Sequence, residues 1–127
     1  MASNNQVIYK YIKTNSPIPF YYINAQYKNE KLYATMEQTN GNRNGLELTN
    51  DDGQMNTYLI SVFSSSYIKG IDNREILKEI ILNMIGYEQS NIKIDYVLLL
   101  GEWDTDKLSN GLYSFNMEFD IKTNKEK

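Results

Sequence analysis

Residues 112–121 read LYSFNMEFDI, and this stretch decides the fold that the rest of the chain is expected to build. Apolar side chains occupy every second position, in the series Tyr113, Phe115, Met117, Phe119 and Ile121. Successive side chains of a β-strand point to opposite faces of a sheet, so this series predicts a strand with one buried face. The polar series between them, which includes Glu118 and Asp120, is expected to meet solvent.

Two earlier segments predict strands that pair with this one. Residues 56–63, NTYLISVF, carry apolar side chains on both faces and indicate a strand near the sheet centre. Residues 91–100, NIKIDYVLLL, alternate at first and then become fully apolar, which is typical of a strand that enters the interior. Gly101 is expected to end that strand.

A helix is predicted over about residues 73–85, between these two strands. Asp72 and Glu75 have the spacing of a capping box, and Gly86 suits the C-terminal cap. The apolar residues at helical spacing are Leu77, Ile80, Ile81, Met84 and Ile85.

The N-terminal third predicts further strands. Residues 7–12, VIYKYI, are β-branched and aromatic and predict a first strand, which is followed by a breaker that contains Pro17 and Pro19. Residues 19–27 and 31–39 are expected to form a hairpin joined around the polar residues 28–31. Its second arm places Leu32, Ala34 and Met36 on one face. Together the segments predict an α+β fold, with a mainly antiparallel sheet of five to six strands and one amphipathic helix packed on a face.

The most polar segment is residues 40–54, NGNRNGLELTNDDGQ, which we interpret as a long loop with a short strand at 46–48. Long loops in small domains are often functional, so this one is a candidate for contact with a partner. Its candidate residues are Asn42, Arg43, Asn44, Glu47, Asp51 and Asp52. Residues 122–127 are expected to form a polar, frayed tail of a single domain of 127 residues.

The composition limits the possible chemistry. The chain has no cysteine and no histidine, which excludes disulfides, thiolate metal ligands and the side chain that most often transfers protons near neutral pH. We therefore predict no enzymatic activity, no metal and no cofactor. The net charge is −3, with both signs scattered, whereas binding to phosphates requires clustered Lys and Arg. No nucleic-acid partner is expected.

The N-terminal region lacks the apolar core of a signal peptide, and no stretch approaches the roughly 20 apolar residues that a membrane helix needs. Neither secretion by a signal peptide nor a membrane partner is predicted.

Residues 101–106, GEWDTD, are the strongest candidate site because they combine three carboxylates with the only tryptophan. Asp104 and Asp106 have the spacing of two ligands for Ca²⁺ or Mg²⁺, but Leu108 and Ser109 stand where an EF-hand loop needs an oxygen ligand and a glycine. A solvated acidic turn is the preferred interpretation, with Trp103, Asp104 and Asp106 as candidate contacts for a protein.

Two other interpretations are open. A glycosidase-like pair of acids is conceivable among Glu102, Asp104, Glu118 and Asp120, although the sequence does not define their separation. The many tyrosines suit either a platform for stacking nucleic-acid bases or a protein interface. The negative net charge favours the protein interface, where tyrosine is enriched.

From residue 55 to residue 121 the predicted order of strand, helix, strand and strand resembles that of phage tail-completion and tail-terminator proteins. These proteins are small subunits of sheet and helix that form a ring at the head-to-tail joint, and they usually begin with a helix, where we predict a strand. The resemblance implies a non-enzymatic, ring-forming connector subunit of a phage or phage-like particle. Its partners are then proteins, and its location is the virion, or the host cytoplasm before assembly.

The alternative function is a small inhibitor encoded by a mobile element, which binds and blocks a host defence or replication protein. An enzyme that uses only carboxylates is a third class.

Overall fold

β6, the strand predicted from LYSFNMEFDI, lies in the interior of a six-stranded sheet. The computed structural model describes residues 3–22, 30–43, 54–105, 107–108 and 111–125. The elements in chain order are α1 (Asn4–Asn15), β1 (Phe20–Tyr22), β2 (Leu32–Arg43), β3 (Gln54–Ser64), α2 (Tyr67–Leu82), β4 (Glu88–Gln89), β5 (Ile92–Thr105) and β6 (Tyr113–Lys125). The strand order is β1-β2-β3-β6-β5-β4.

The fold class is α+β, with six strands, as predicted, but the sheet is mixed. β1 and β2 are parallel, whereas the other neighbouring strands are antiparallel. The prediction of one helix is wrong, since both α1 and α2 are present. Neither is long and apolar enough to cross a membrane, and this holds for every helix in the described ranges.

Both helices cover one face of the sheet, which we call the helical face. Ile60 of β3 pairs with Met117 of β6, and both are buried in one apolar cluster with Ile8 and Ile12 of α1 and with Ile81 of α2. The predicted inward series of β6 is confirmed, because its three central members are fully buried. The prediction of Ala34 and Met36 on the inner face of β2 is confirmed too.

The opposite face of β6 is buried as well, which the alternation did not predict. Asn116 is 6% exposed and Asp120 is 9% exposed, and both lie on the strand between β3 and β5. The Ser61 hydroxyl donates to Asn116 Oδ1 at 2.7 Å, and the Thr57 hydroxyl donates to Asp120. Hydrogen bonds of this kind remove the penalty of burying polar groups. The expectation that Asp120 meets solvent is therefore wrong.

The predicted first strand at residues 7–12 lies within α1. Ser3 is the N-cap, and its side chain accepts from the backbone N–H of Gln6. The Gln6 side chain accepts in turn from the backbone N–H of Ser3, which completes a capping box. Val7, Ile8 and Ile12 are buried. The preference of β-branched residues for strands is weak, so the cap and the burial of one helical stripe outweigh it.

The predicted hairpin at residues 19–39 is also wrong. Phe20 pairs with Ala34 and Tyr22 with Met36 in a parallel register. Contacts with α1 place β1, since the Tyr9 ring stacks on Phe20 at 5.6 Å and its hydroxyl donates to the Phe20 carbonyl. A turn pattern in the local sequence cannot report such a contact.

α2 begins six residues before the predicted start. Ser66 is its N-cap and accepts from the Lys69 N–H, whereas Asp72 lies inside the helix. Leu77 is buried as predicted, but Ile85 is 51% exposed because the helix ends at Leu82 and a turn follows. Gly86 has a positive φ of 91° in that turn.

Strands extend into both segments that the sequence predicts as a loop and a tail. β2 includes residues 40–43, with Arg43 opposite Met55, and β6 continues to Lys125. Residues 44–53, with the strand predicted at 46–48, lie outside the described residues, as do residues 126–127.

Gly70 allows α2 to approach the sheet. A Cβ atom at this position would overlap the buried ring of Phe115. We expect Gly70→Ala to lower the free energy of unfolding by about 2 kcal/mol, the usual effect of overpacking, although alanine at a helical position normally adds stability. Urea unfolding followed by circular dichroism measures the change. Gly101→Ala is the control, because nothing lies within 4 Å of the added methyl group; an equal loss in both variants would contradict this role of Gly70.

Tyr58 is fully buried, and its hydroxyl donates to Asn5 and accepts from Asn56. Burial raises the pKa of Tyr58 from its ordinary value of 10.0 to about 12. Its contribution to stability is therefore fully present below pH 10 and is lost as the pH rises through 12. We expect the unfolding free energy to fall by roughly 1–3 kcal/mol over that range. The fall should be smaller in Tyr58→Phe, because phenylalanine has no hydroxyl group to titrate. Denaturant unfolding of the unmodified protein and of Tyr58→Phe at a series of pH values tests this, with Tyr96→Phe as the control. If the unfolding free energy falls equally with pH in all three proteins, the prediction is wrong.

Candidate protein-contact site

Two irregularities in β5 decide which of its side chains face the helices. Ile94 pairs with Thr123 but Tyr96 pairs with Lys122, so Asp95 is an extra residue and reverses the alternation. Ile94 lies on the helical face before the irregularity, and Val97 lies there after it. The prediction of one continuous alternating strand that enters the interior is therefore wrong.

The second irregularity lies at Leu100, where Leu99 pairs with Phe119 and Gly101 with Glu118. The strand continues past Gly101 to Thr105, so this glycine does not end it. The register then places Glu102 and Asp104 on the helical face and Trp103 on the opposite face. The acidic residues and the tryptophan thus belong to two different surfaces.

Arg74 and Lys78 of α2 neutralise the two carboxylates on the helical face. The Nε atom of Arg74 lies 3.5 Å from the Glu102 carboxylate, and its Nη1 atom forms an ion pair with Asp104. Lys78 Nζ lies 2.8 Å from Glu102 and 3.0 Å from Glu75. Arg74 is only 12% exposed, and its guanidinium lies 5.7 Å from the centre of the Phe115 ring. This ion cluster fastens α2 to β5.

The cluster also changes the proton affinity of its neighbours. The Tyr67 hydroxyl donates to Asp104 at 3.2 Å, and this hydrogen bond raises the pKa of Tyr67. The hydrogen bond to Glu102 raises the pKa of Lys78. Asp104 therefore uses one oxygen for Arg74 and the other for Tyr67, and it lies in β5 and not in the turn that we expected.

The structure separates the acidic residues that the sequence offered for catalysis. Glu102 and Asp104 lie on the helical face, while Glu118 and Asp120 pair with residues on the opposite face. Across the described ranges, no group of three or more acidic side chains is placed to hold a metal ion.

The exposed apolar residues of β5 form what we call the β5 stripe. They are 38% to 48% exposed, and they are Tyr96, Leu98, Leu100 and Trp103. Three of them pair with polar β6 residues on the face opposite the helices, as Leu98 does with Asp120. Exposed apolar side chains that line up along one strand are more typical of a contact surface than of isolated solvent-facing residues.

The edge of β5 next to the stripe is open. β4 pairs only with Ile92 and Lys93, and the backbone of Ile94 bonds to Gly86 and Tyr87. From Asp95 to Thr105, this edge has no backbone partner among the described residues. An open edge offers a row of N–H and C=O groups to an added strand.

The predicted contact residues have different positions. Trp103 belongs to the β5 stripe, and Asp104 belongs to the ion cluster. Asn42 and Arg43 end β2, and the structure describes only their backbone. The remaining candidates lie outside the described residues, namely Asn44, Glu47, Asp51, Asp52 and Asp106.

Sequence reasoning missed the cations of the cluster and most of the stripe. Arg74 and Lys78 are four residues apart in one helix, and this spacing was a usable signal for a shared cationic face. The exposure of Tyr96 and Leu98 had no such signal, because it depends on the irregularity at Asp95.

Comparisons with known proteins give a likeness in fold. No family model matches the sequence, and a search of curated proteins finds no match. Among solved structures, a chain from the virion of a native gene transfer agent particle is similar, with a TM-score of 0.61 and 10% sequence identity. The alignment covers 93% of this chain and 84% of that chain. At this identity the comparison shows a shared fold.

The ion cluster predicts an energetic coupling between α2 and β5. We expect Arg74→Met and Asp104→Asn each to destabilise the protein by about 1 kcal/mol, and the double variant to lose less than the sum, because both act on one partly exposed ion pair. Urea unfolding of the four proteins measures the coupling, which should shrink at high salt. Lys10→Met on α1 is the control for loss of a cation, and additive losses in the cycle would refute the coupling.

Proposed function

We propose that this chain is a non-enzymatic structural subunit of a phage or phage-like particle, of the connector or tail-completion type. In this proposal it forms a ring with copies of itself through protein contacts and needs no nucleic acid. It acts in the virion and is present in the host cytoplasm before assembly.

The observation that carries the proposal is the fold shared with a chain of a gene transfer agent virion, which extends over 93% of this sequence. A match over 93% of the chain is more specific than the order of a few elements. It favours a subunit of a particle over an isolated binding protein.

The N-terminal helix adds support. Tail-completion and tail-terminator families usually begin with a helix, and α1 occupies Asn4–Asn15 where the sequence had suggested a strand. The difference between this chain and those families at the N-terminus is thereby removed.

The open edge of β5 suits such an assembly. An extended segment of a neighbouring copy can pair with the backbone from Asp95 to Thr105, while the β5 stripe buries apolar area beside it. The edge at the other end of the sheet is β1, and a contact between the β5 edge of one copy and the β1 edge of the next joins unlike surfaces. Head-to-tail contacts of this kind close into a ring when the rotation between copies allows it.

The absence of histidine and cysteine, together with the engagement of both Asp104 oxygens, is the basis for proposing that the chain is not an enzyme. Contacts and shape then carry the function.

The proposal predicts that charge on the edge strand prevents assembly. We expect the purified protein to form a defined oligomer at concentrations on the order of 100 µM, and Leu98→Lys/Leu100→Lys to be monomeric, because buried charges disfavour the pairing of edge strands. Light scattering coupled to size exclusion, together with native mass spectrometry, measures the mass. Thermal unfolding is expected to differ little between the two proteins, since both residues are about half exposed.

Ile68→Lys/Ile76→Lys on α2 is the matched control, since it makes the same exchanges at two other exposed apolar residues. It should assemble as the unmodified chain does. A monomer at all concentrations that also fails to associate with purified particles would refute the proposal. A tight complex with a single host protein would instead favour the inhibitor.

A further inference from the structure

A polar cleft of about 400 Å³ lies at the end of the sheet farthest from the ion cluster, beside the first turn of α1. Its position follows from the register, since Asn56 pairs with Ile121 whereas Asp104 pairs with Phe115. The residues that carry its chemistry are Asn4, Asn5, Gln38, Gln54, Asn56 and Lys125. A volume of this size lies within the range of pockets that bind small ligands.

Hydrogen bonds hold the walls of the cleft in place. Asn5 donates to Gln38 at 2.7 Å and accepts from the Tyr58 hydroxyl, and Asn4 donates to Gln54. These bonds join α1 to β2 and β3. The amides are therefore fixed by long-range partners and do not depend on a ligand for their position.

Asn56 is the exception. It is 5% exposed, and its Nδ2 donates to the Tyr58 hydroxyl at 3.3 Å. Its Oδ1 is buried and accepts no hydrogen bond, and Asn56 is one of the residues that line the cleft. A buried acceptor without a donor is unfavourable, so a ligand that brings an N–H or O–H group into the cleft gains by supplying one.

The charges around the cleft favour an anion. Lys125 supplies a positive charge, and the described residues that line the cleft include no acidic side chain. The first turn of α1 contains no acidic residue either. Its leading N–H groups, at Asn4 and Asn5, have no acceptor within the helix, and the helix dipole adds to their positive potential.

We propose that the cleft binds the C-terminal end of a polypeptide. A chain end has two groups that are complementary to the cleft. Its last peptide N–H can donate to Asn56 Oδ1, and its carboxylate can bind Lys125 and the first turn of α1. This site does not depend on the proposed function; in a particle, the polypeptide is a neighbouring protein of the assembly.

NMR titration of the ¹⁵N-labelled full chain with N-acetylglycine tests this proposal. The probe carries one peptide N–H and one terminal carboxylate. We expect saturable shifts with millimolar affinity at the backbone amides of Asn4 and Asn5 and at the side-chain amide of Asn56. N-acetylglycinamide, which lacks the charge, and acetate, which lacks the amide, are each expected to bind more weakly by about tenfold, since each loses one of the two contacts.

A third probe separates a chain end from an acidic side chain. N-acetylaspartic acid with its α-carboxyl group amidated carries the carboxylate on the side chain. Tighter binding of this compound than of N-acetylglycine would overturn the assignment to a chain end.

Two variants test the assigned contacts. Lys125→Gln should lower the affinity for N-acetylglycine by about tenfold and leave the affinity for N-acetylglycinamide unchanged, because only the carboxylate loses a partner. Asn56→Leu should lower the affinity for both probes, because both donate a peptide N–H to Asn56. The melting temperature should stay equal or rise, because an unpaired buried acceptor is removed. A residue with a purely structural role would lower the melting temperature instead.

Asn73→Leu on α2 is the matched control, and it should bind N-acetylglycine as the unmodified protein does. Shifts that fail to saturate, or equal shifts in all variants, would refute the site. Those outcomes are independent of the oligomer measurements, so the failure of the cleft and the failure of the proposed assembly are distinguishable.

Discussion

The position of β6 between β3 and β5, with both helices packed on its apolar side, is the constraint on which the rest of the structure depends. Phe115, Met117 and Phe119 are fully buried on that side. Its polar side chains on the other side are buried too, and Asn116 and Asp120 bond there to Ser61 and Thr57. A central strand that is buried on both faces leaves contact with partners to the outer strands.

β5 is the strand that we propose for this role, and its two irregularities make it suitable. Each extra residue changes which face the following side chains occupy. As a result, Glu102 and Asp104 point to α2, where cations neutralise them, and Trp103 points away. A regular strand with one alternation would not place the acids with the cations and the apolar residues on the other side in this way. The ion cluster holds the helical face of β5 against α2, while the β5 stripe and the edge remain exposed.

The parts of the fold that follow from local pattern were predictable. The alternation in β6 predicts which of its side chains face the helices, and both β3 and β6 are where the sequence places them. α1 was not predicted, although Ser3 and Gln6 have capping-box spacing, because the β-branched run at residues 7–12 favours a strand. The parallel β1 and the irregularities of β5 depend on contacts between distant segments. For the site, Trp103 and Asp104 were identified, but their separation onto two faces depends on register, which the composition of the segment does not encode.

The cleft and the β5 edge occupy different parts of the same sheet, and this matters for assembly. The cleft is lined by the first turn of α1, by Gln38 of β2 and by the ends of β3 and β6, and β5 contributes Ile92, whose backbone is paired with β4. A strand added from Asp95 to Thr105 therefore leaves the cleft accessible. A ring subunit, which we propose this chain to be, needs contacts with its neighbours in the ring and contacts with the next component of the particle. Two separate surfaces with different chemistry, one a backbone edge with apolar side chains and the other an amide-lined cleft with a cation, allow both sets of contacts to form at once without competition.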